Sequence, residues 1–423
     1  MGTNEVKMKQ RKMLMLSDSA LYPTGYGTVT RRLLNGLKEY GFECHQLAHN
    51  YMGQTLMPGA TLEGGDVIDF TIHSSGASRY SIDKIKPLID KYEIDKFMVL
   101  LDTFMLMESN YLTSNIDTSP AKTLFYYPSD GGAGLPQGCE NILRNFHVPI
   151  SMSIQGQKQV KEMYNIDSIY IPHGFDKEEY YPMNETEKKE LRKKWMLEGK
   201  FIIGSVFRNQ SRKAPDRIIK AFAKFCKDKQ DAILLLHCDP LDPARVNDLY
   251  NLINRYKINN RVVFTGVSFN NPFNKQQMRE VYNLMDVFVL LSTGEGFGLP
   301  LVEAMGCGVP QIGTDYTTSD EIIMQNGQTG EVVKLVGETE RAPAPHCNEL
   351  LDGTLTGGWN VERGFPSVYD GAKIFEKLYN DRKLLKTYAD KCREKALKHY
   401  NWDTVIKEFA SVFRQLLGDV KND

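Results

Sequence analysis

Long hydrophobic runs are missing from this chain. No stretch reaches the roughly 20 apolar residues that a membrane-crossing helix needs. Residues 1–12 are polar and basic, and the apolar run Met13–Leu16 is too short for the core of a secretory signal, so no leader is expected. An excess of either charge is missing too. Against 53 Asp and Glu stand 52 Lys and Arg, giving a formal net charge of −1, so no whole-chain field draws in nucleic acid or an anionic membrane. No stripe of basic and aromatic residues marks a nucleic-acid surface. Cysteine is sparse: seven residues, an odd number, never in Cys-x2-Cys spacing. That pattern favours free thiols in a reducing compartment over a disulfide framework. No repeat of solenoid period is visible.

What is present reads as ordinary globular protein, 41% hydrophobic and 25% charged. At 423 residues the chain exceeds a single core and predicts two domains. Short apolar strands are expected near 12–17, 42–48, 67–72, 95–101, 122–127, 148–152 and 168–171. Helices fall between them at Thr28–Tyr40, Ile82–Tyr92 and Gln155–Tyr164. The pattern then repeats with strands near 201–206, 232–237, 261–265, 286–291, 309–313 and 330–334. Such βα alternation implies an α/β fold of two doubly wound parallel sheets. Ile171-Pro-His-Gly-Phe-Asp176 and the charged stretch after it place the boundary, giving domains 1–176 and 177–400. Residues 335–366 lack periodicity and read as a long loop, whereas Lys383–Leu417 has helical spacing.

One segment carries most of the chemistry, Glu295-Gly-Phe-Gly-Leu-Pro-Leu-Val-Glu303. It follows the apolar strand Asp286–Leu291 and opens a helix. Pro300 suits a first helical turn, and Gly296 and Gly298 let backbone approach a ligand closely. The free amides and positive dipole end of that helix form an anion site. Carboxylates on both sides of an anion site suit a ligand with hydroxyls as well as phosphate, which describes a nucleotide sugar. Upstream, strand Phe201–Val206 runs into a loop with Arg208 and Lys213, and a helix follows from about Asp216. Fixed cations there would meet charge growing on a leaving diphosphate. Arg212 is set aside, because adjacent side chains diverge.

Ligands of open α/β sheets bind beyond the carboxyl ends of the strands. In the first half those ends hold Ser17–Gly27, Asp102 and Ser129-Asp130-Gly131. The loop Pro23-Thr-Gly25-Tyr-Gly27-Thr28 fails as a dinucleotide fingerprint. Thr30 stands where the third glycine belongs, and the second strand ends in Ala48-His49-Asn50 without the acid a ribose needs. This argues against an NAD enzyme.

The segment Glu295–Glu303 resembles the E-x7-E motif of glycosyltransferase family 4, retaining enzymes of the GT-B fold, in which two Rossmann-like domains face one another across a cleft. The resemblance is strong over 200–335 and looser over 13–180. It implies that Glu295, with the turn at Phe297, Gly298 and Leu299, holds the donor sugar, and that Glu303 holds the ribose. It implies that Arg208 and Lys213, similar to the family's Arg-x4-Lys pair, grip the diphosphate. Gly25 and Gly27 lie in the counterpart of the family's first Gly-rich loop, which brings amides toward diphosphate and acceptor. Val267, after Arg261–Gly266, lies beside the base through its backbone. Tyr126-Tyr-Pro-Ser-Asp130-Gly131 stands where many relatives carry His-Asp; here Ser129 replaces the His, and Asp130 remains to orient the acceptor or contact the sugar. His173 falls in an interdomain hinge. The final helix, about 401–417 and counted with the tail to 423, crosses back to the first domain.

The expected function is therefore retaining transfer of a sugar from a nucleotide-diphosphate sugar to an acceptor hydroxyl of a glycan, a lipid-linked sugar or a small molecule. No Asp-x-Asp triplet appears, so no bridging metal and no other cofactor is expected, with the NDP-sugar serving as substrate. No Ser, Cys or Lys nucleophile is evident. The resemblance implies retention without an enzymic nucleophile, with the leaving diphosphate itself taking the acceptor proton. A glycosidase pair must flank one bond from opposite sides, whereas Glu295 and Glu303 approach from one side. Alternative readings are transfer to a nucleic-acid base, which the charge does not indicate, a nucleotide-sugar epimerase or hydrolase of the same fold, and a non-enzymatic binding module. The expected location is cytoplasmic, with peripheral contact at the inner membrane surface left open because many relatives work on lipid-linked sugars.

Overall fold

The computed structural model describes residues 11–62, 66–76, 80–109, 116–132, 135–136, 138–243, 245–268, 271–337, 340–343 and 360–416. Two parallel sheets organise it. The first runs in the order Thr71–Ser74, Phe42–His49, Arg11–Asp18, Lys96–Leu100, Lys122–Tyr127, Val148–Ser151, Ile169–Tyr170. The second runs Val262–Phe264, Ala232–His237, Phe201–Val206, Val287–Leu290, Gln311–Thr314, Gly330–Val333. These are two Rossmann-like α/β domains, as expected from the alternation.

Each central strand is apolar along its length. Met13, Leu14, Met15 and Leu16 are all fully buried, as are Leu234, Leu235 and Leu236. Strands with both faces covered need that continuous pattern, because helices pack on each side. The helix Gly25–Leu37 turns Val29, Leu33, Leu34 and Leu37 inward and is capped by Thr24, whose hydroxyl accepts from the Gly27 amide. In the second domain Pro215 opens the helix Pro215–Phe225, which buries Ile218, Ile219, Phe222 and Phe225.

In each sheet the strand order reverses beside the first strand of the domain. The crevice there lies between Arg11–Asp18 and Lys96–Leu100, and between Phe201–Val206 and Val287–Leu290. Those switch points bring Asp18–Gly25 near Asp102, and Arg208–Lys213 near Glu295.

Two expectations need revision. The strand near 67–72 is split: Val67–Ile68 pairs with Ala60–Thr61 in a small antiparallel ladder, and Thr71–Ser74 joins the main sheet. Between them Asn35 of the first helix accepts the Asp69 amide at 2.9 Å, which takes that residue out of either ladder. The segment 335–366 is not all loop. Glu340–Pro343 pairs antiparallel with Asn360–Arg363; residues 344–359 lie outside the described residues. The tail has the expected helical character, as two helices, Arg382–His399 and Trp402–Gln415, the second matching the final helix expected at about 401–417; they separate at Tyr400-Asn401, where the Asn401 side chain caps the second. Residues 417–423 of that tail also lie outside the described residues.

The helix Trp402–Gln415 packs on the first domain. Phe409 meets Tyr126 with ring centroids 5.0 Å apart, and Phe413 meets Phe42 at 5.6 Å. Its start is fixed where the chain first leaves the first sheet: the Phe175 amide donates to the Tyr400 carbonyl at 2.7 Å, and a side chain at Gly174 would strike the Trp402 ring. The two connections between domains thus lie side by side. Phe409→Ala should remove about 3–5 kcal/mol from the unfolding transition of the first domain. Denaturant titration checks this; a transition unmoved in midpoint would show that the returning helix does not stabilise that domain.

Candidate active site

Glu295 is 4% exposed and lies between two cations. Lys213 Nζ is 2.5 Å from Oε1, and Arg212 Nη1 is 2.7 Å from Oε2. The Ser292 hydroxyl also donates to Oε1. Residues Ser211–Lys213 form a 3₁₀ turn, and Ala214 follows in the left-handed region at φ +42°. The sequence argument that Arg212 points away from Lys213 therefore fails. Their Cβ atoms diverge, yet two long side chains converge on the two oxygens of one carboxylate. The turn containing Glu295 is tied down from behind. Its amide donates to Thr317 Oγ1 at 3.0 Å, and Thr318 Oγ1 donates to the carbonyls of Glu295 and Phe297 at 3.1 and 2.8 Å. Thr317 itself sits at φ +52°, ψ −141°, a conformation that costs on the order of 1–3 kcal/mol.

The electrostatics follow from one anion shared by two cations. Burial would raise the Glu295 pKa, but Arg212 and Lys213 outweigh it and hold the carboxyl down at about 2. Burial, then the neighbouring Arg212 charge, pushes Lys213 down to about 8 despite its partner. Arg212 Nε also lies 3.9 Å from Asp130 Oδ2, which Arg363 shares, so three cations, Arg212, Lys213 and Arg363, face two carboxylates, Glu295 and Asp130.

The other expected residues are placed as follows. Arg208 is half exposed and pairs with Asp242 at 2.8 Å instead of Glu295. Gly298 caps the helix Leu299–Gly306 at φ +97°, with Leu299 and Pro300 opening it. Phe297 is buried edge-to-face on His173, centroids 4.8 Å apart. His173 lies 2.7 Å from the Tyr126 hydroxyl and is pushed down to about 3 by burial, so it is neutral and structural here. Val267 follows the strand Val262–Phe264 and is partly buried. Gly25 faces Leu299, since a Cβ there would lie 3.7 Å from Leu299 Cδ1. The two Gly-rich turns thus meet across the cleft. Gly27 is required by its own turn: a Cβ would lie 2.6 Å from the Tyr22 carbonyl, and its amide is taken by Thr24. Gly296 likewise admits protein, because a Cβ would lie 2.7 Å from Pro128 of the first domain.

Glu303 accepts from the Tyr282 hydroxyl at 2.6 Å. Burial pushes it up to about 7, against the pull of Tyr282 and Tyr180. Asp130 is bound by Arg363, whose Nη1 is 2.8 Å from its carbonyl and 3.1 Å from Oδ2. Burial opposes ionisation of Asp130, but Arg363 and then Arg212 hold it below the usual carboxylate range. Ser129, in the position of the missing His, donates to Gln159 instead. Asp102 accepts from the Tyr26 hydroxyl at 2.7 Å and is pushed up to about 6 by burial and by Asp130.

Arg212, Arg363 and the Tyr26–Asp102 pairing escaped sequence reasoning. Arg363 is 3% exposed and comes from a stretch with no periodic signal. The Arg212 signal was present, because Ser-Arg-Lys-Ala-Pro allows a tight turn before a helix. Among the described residues no group of three His, Cys, Asp or Glu is placed to hold a metal ion. No helix of the described residues is long and apolar enough to cross a membrane.

Residues 187–342 match the family described as Glycosyl transferases group 1. N-acetyl-alpha-D-glucosaminyl L-malate synthase of Bacillus anthracis is 26% identical over 264 residues, 62% of this chain and 57% of that protein. Mannosylfructose-phosphate synthase of Agrobacterium fabrum is 26% identical over 149 residues, 34% of this chain and 32% of that protein. The matches thus span about half, or a third, of those relatives' own lengths. Among solved structures, sucrose-phosphate synthase from Thermosynechococcus elongatus superposes with TM-score 0.73 at 16% identity, over 97% of this chain and 100% of that one. Anabaena Alr3699/HepE in complex with UDP and glucose gives 0.67 at 17%, over 96% and 100%. These likenesses establish the GT-B fold.

The raised pKa of Glu303 has a consequence for stability. A carboxyl whose folded pKa lies above its unfolded one favours the fold while protonated. That contribution is complete below the ordinary value of 4.5 and is lost as pH rises through about 7. Glu303→Gln, which cannot ionise, should match wild type below pH 4.5 and melt at higher temperature above pH 7. Melting curves across that range check it; a gap independent of pH would contradict the raised value.

Proposed function

We propose that this chain is a retaining glycosyltransferase that moves a sugar from a nucleotide-diphosphate sugar to an acceptor hydroxyl. The observation that carries the reading is the buried Glu295 held between Arg212 and Lys213 at the mouth of the helix Leu299–Gly306. Surplus cationic charge beside a helix N-terminus suits a diphosphate. A carboxylate in the same turn suits sugar hydroxyls, and Glu303, about one turn into the helix, suits a ribose. The comparisons support it: the domain match falls on this half, and a structural neighbour was solved with UDP and glucose.

In this reading the bond between the anomeric carbon and the β-phosphate oxygen breaks, and the electron pair stays on the leaving diphosphate. Lys213 and Arg212 stabilise that charge, and the helix amides add to it. The acceptor oxygen attacks from the side the diphosphate is leaving, and its proton passes to a phosphate oxygen. The new linkage keeps the donor's anomeric configuration. Arg208 remains a candidate for the diphosphate if its side chain leaves Asp242. Val267 would line the base and Gly25 the phosphates. Asp130, held by Arg363, orients the acceptor.

We expect the three cations to contribute unequally. Lys213→Ala and Arg212→Ala should each lower turnover by roughly 10²–10³, while Arg208→Ala, starting from a half-exposed surface pair, should cost less. Screening UDP- and GDP-sugars for turnover, then assaying the three variants, tests this. Equal activity of Lys213→Ala and wild type would sink the assignment.

The lowered Lys213 pKa gives a further prediction. A diphosphate favours the charged ammonium, so binding of free NDP should weaken as pH rises through about 8. Calorimetry would show that dependence in wild type and its loss in Lys213→Ala. The anomeric coupling of the product, read by NMR, tests retention; an inverted product would make Asp130 the general base.

A further inference from the structure

A second concave site lies on the opposite edge of the same domain. Its cavity is about 530 Å³ and is lined by Lys220, Lys224, Lys227, Tyr256, Lys257 and Arg261, among others, with no carboxylate in the lining. The cleft lies beyond the carboxyl ends of the strands. This cavity lies at their amino ends, because its wall residue Gln230 lies two residues before Ala232–His237, and Arg261 immediately precedes Val262–Phe264. Lys224 lies about 14 Å along the helix from Pro215, on a rise of about 1.5 Å per residue.

The charge here is not balanced by the protein. Lys220, Lys224 and Lys227 follow one another at helical spacings of four and three, where like charges repel. Lys220 pairs with Asp216 at 2.7 Å. Among the described residues no ion pair neutralises Lys224, Lys227 or Lys257. Lys224 instead rests over the Tyr369 ring, 4.2 Å from its centroid. Arg261 is buried at the base, where its guanidinium donates to the carbonyl and side chain of Gln230. The lining lysines thus come from two segments, the helix Pro215–Phe225 with its continuation and the turn at Lys257.

We propose that this pocket binds a small ligand bearing two phosphates. Several ammonium groups around one cavity suit a ligand with separated phosphate charges through charge-assisted hydrogen bonds. The volume falls in the range of small-molecule sites. Concavity favours a small anion over a bilayer surface, which cannot enter it.

Calorimetry of the full chain with fructose 1,6-bisphosphate tests the proposal. Saturable binding to one site is expected, weakened at least tenfold in the double variant Lys224→Ala/Lys257→Ala and unchanged in Lys213→Ala. Fructose should not bind. The proposal is overturned if the bisphosphate does not bind. It is equally overturned if the double variant binds like wild type while Lys213→Ala does not, which would place the ligand in the donor cleft. Sedimentation with phosphatidylglycerol vesicles in the absence of bisphosphate binding would assign the lysines to a membrane instead.

Discussion

A carboxylate as buried as Glu295 is tolerated in a folded protein only when cations and hydrogen bonds compensate its lost hydration. Here two cations and a serine hydroxyl do so, and much of the surrounding architecture keeps them in place. The 3₁₀ turn at Ser211–Lys213 and the left-handed Ala214 aim the cations. Thr317 and Thr318 fix the turn that carries the anion. Buried ion groups of this kind are weak sources of stability, because desolvation offsets most of their attraction. Their value to the molecule is better sought in what they do when a polyanion arrives and competes with Glu295 for Lys213.

The domains meet around this group. Gly294 and Gly296 have no side chains because Asp130 and Pro128 of the first domain approach their backbones. Tyr316 accepts from the Gly132 amide at 2.5 Å, and Glu321 accepts from the amides of Ile154 and Gln155 at 3.1 and 3.0 Å. The last contact places a carboxylate at a helix N-terminus, where the dipole favours it. Arg363 adds a cation from the strand Asn360–Arg363. On the other side of the cleft Arg32 bridges Asp176 at 2.6 Å and also pairs with Glu179, and Lys275 pairs with Asp66 and Glu179. Polar contacts of this sort hold a cleft shut yet can exchange for water, as domain closure around a substrate requires.

Much of this was legible in the sequence. Apolar strands such as Phe201–Val206 and Ala232–His237 were placed to the residue, because a strand buried on both faces leaves a continuous signal. The turn at Glu295–Pro300 was legible because glycine and proline mark backbone geometry directly. What escaped depended on long-range contact. The hairpin Glu340–Pro343 with Asn360–Arg363 joins segments separated by 16 residues, and nothing local announces that Arg363 will reach Asp130. The split of the strand near 67–72 depended on Asn35, more than 30 residues away. Glycines were legible as necessary but not for what: Gly27 and Gly296 admit neighbouring protein atoms, a distinction only the fold can make.

We propose that Glu295, Arg212 and Lys213 form a donor site for a diphosphate. A crystal structure of the chain with a bound nucleoside diphosphate sugar tests it most directly. The diphosphate should lie within hydrogen-bond reach of Lys213 and Arg212 at the start of the helix Leu299–Gly306. Lys213 should have moved off Glu295, and the sugar hydroxyls should have taken its place on the carboxylate. A nucleotide sugar bound elsewhere, with the Lys213–Glu295 pair intact at 2.5 Å, would contradict it.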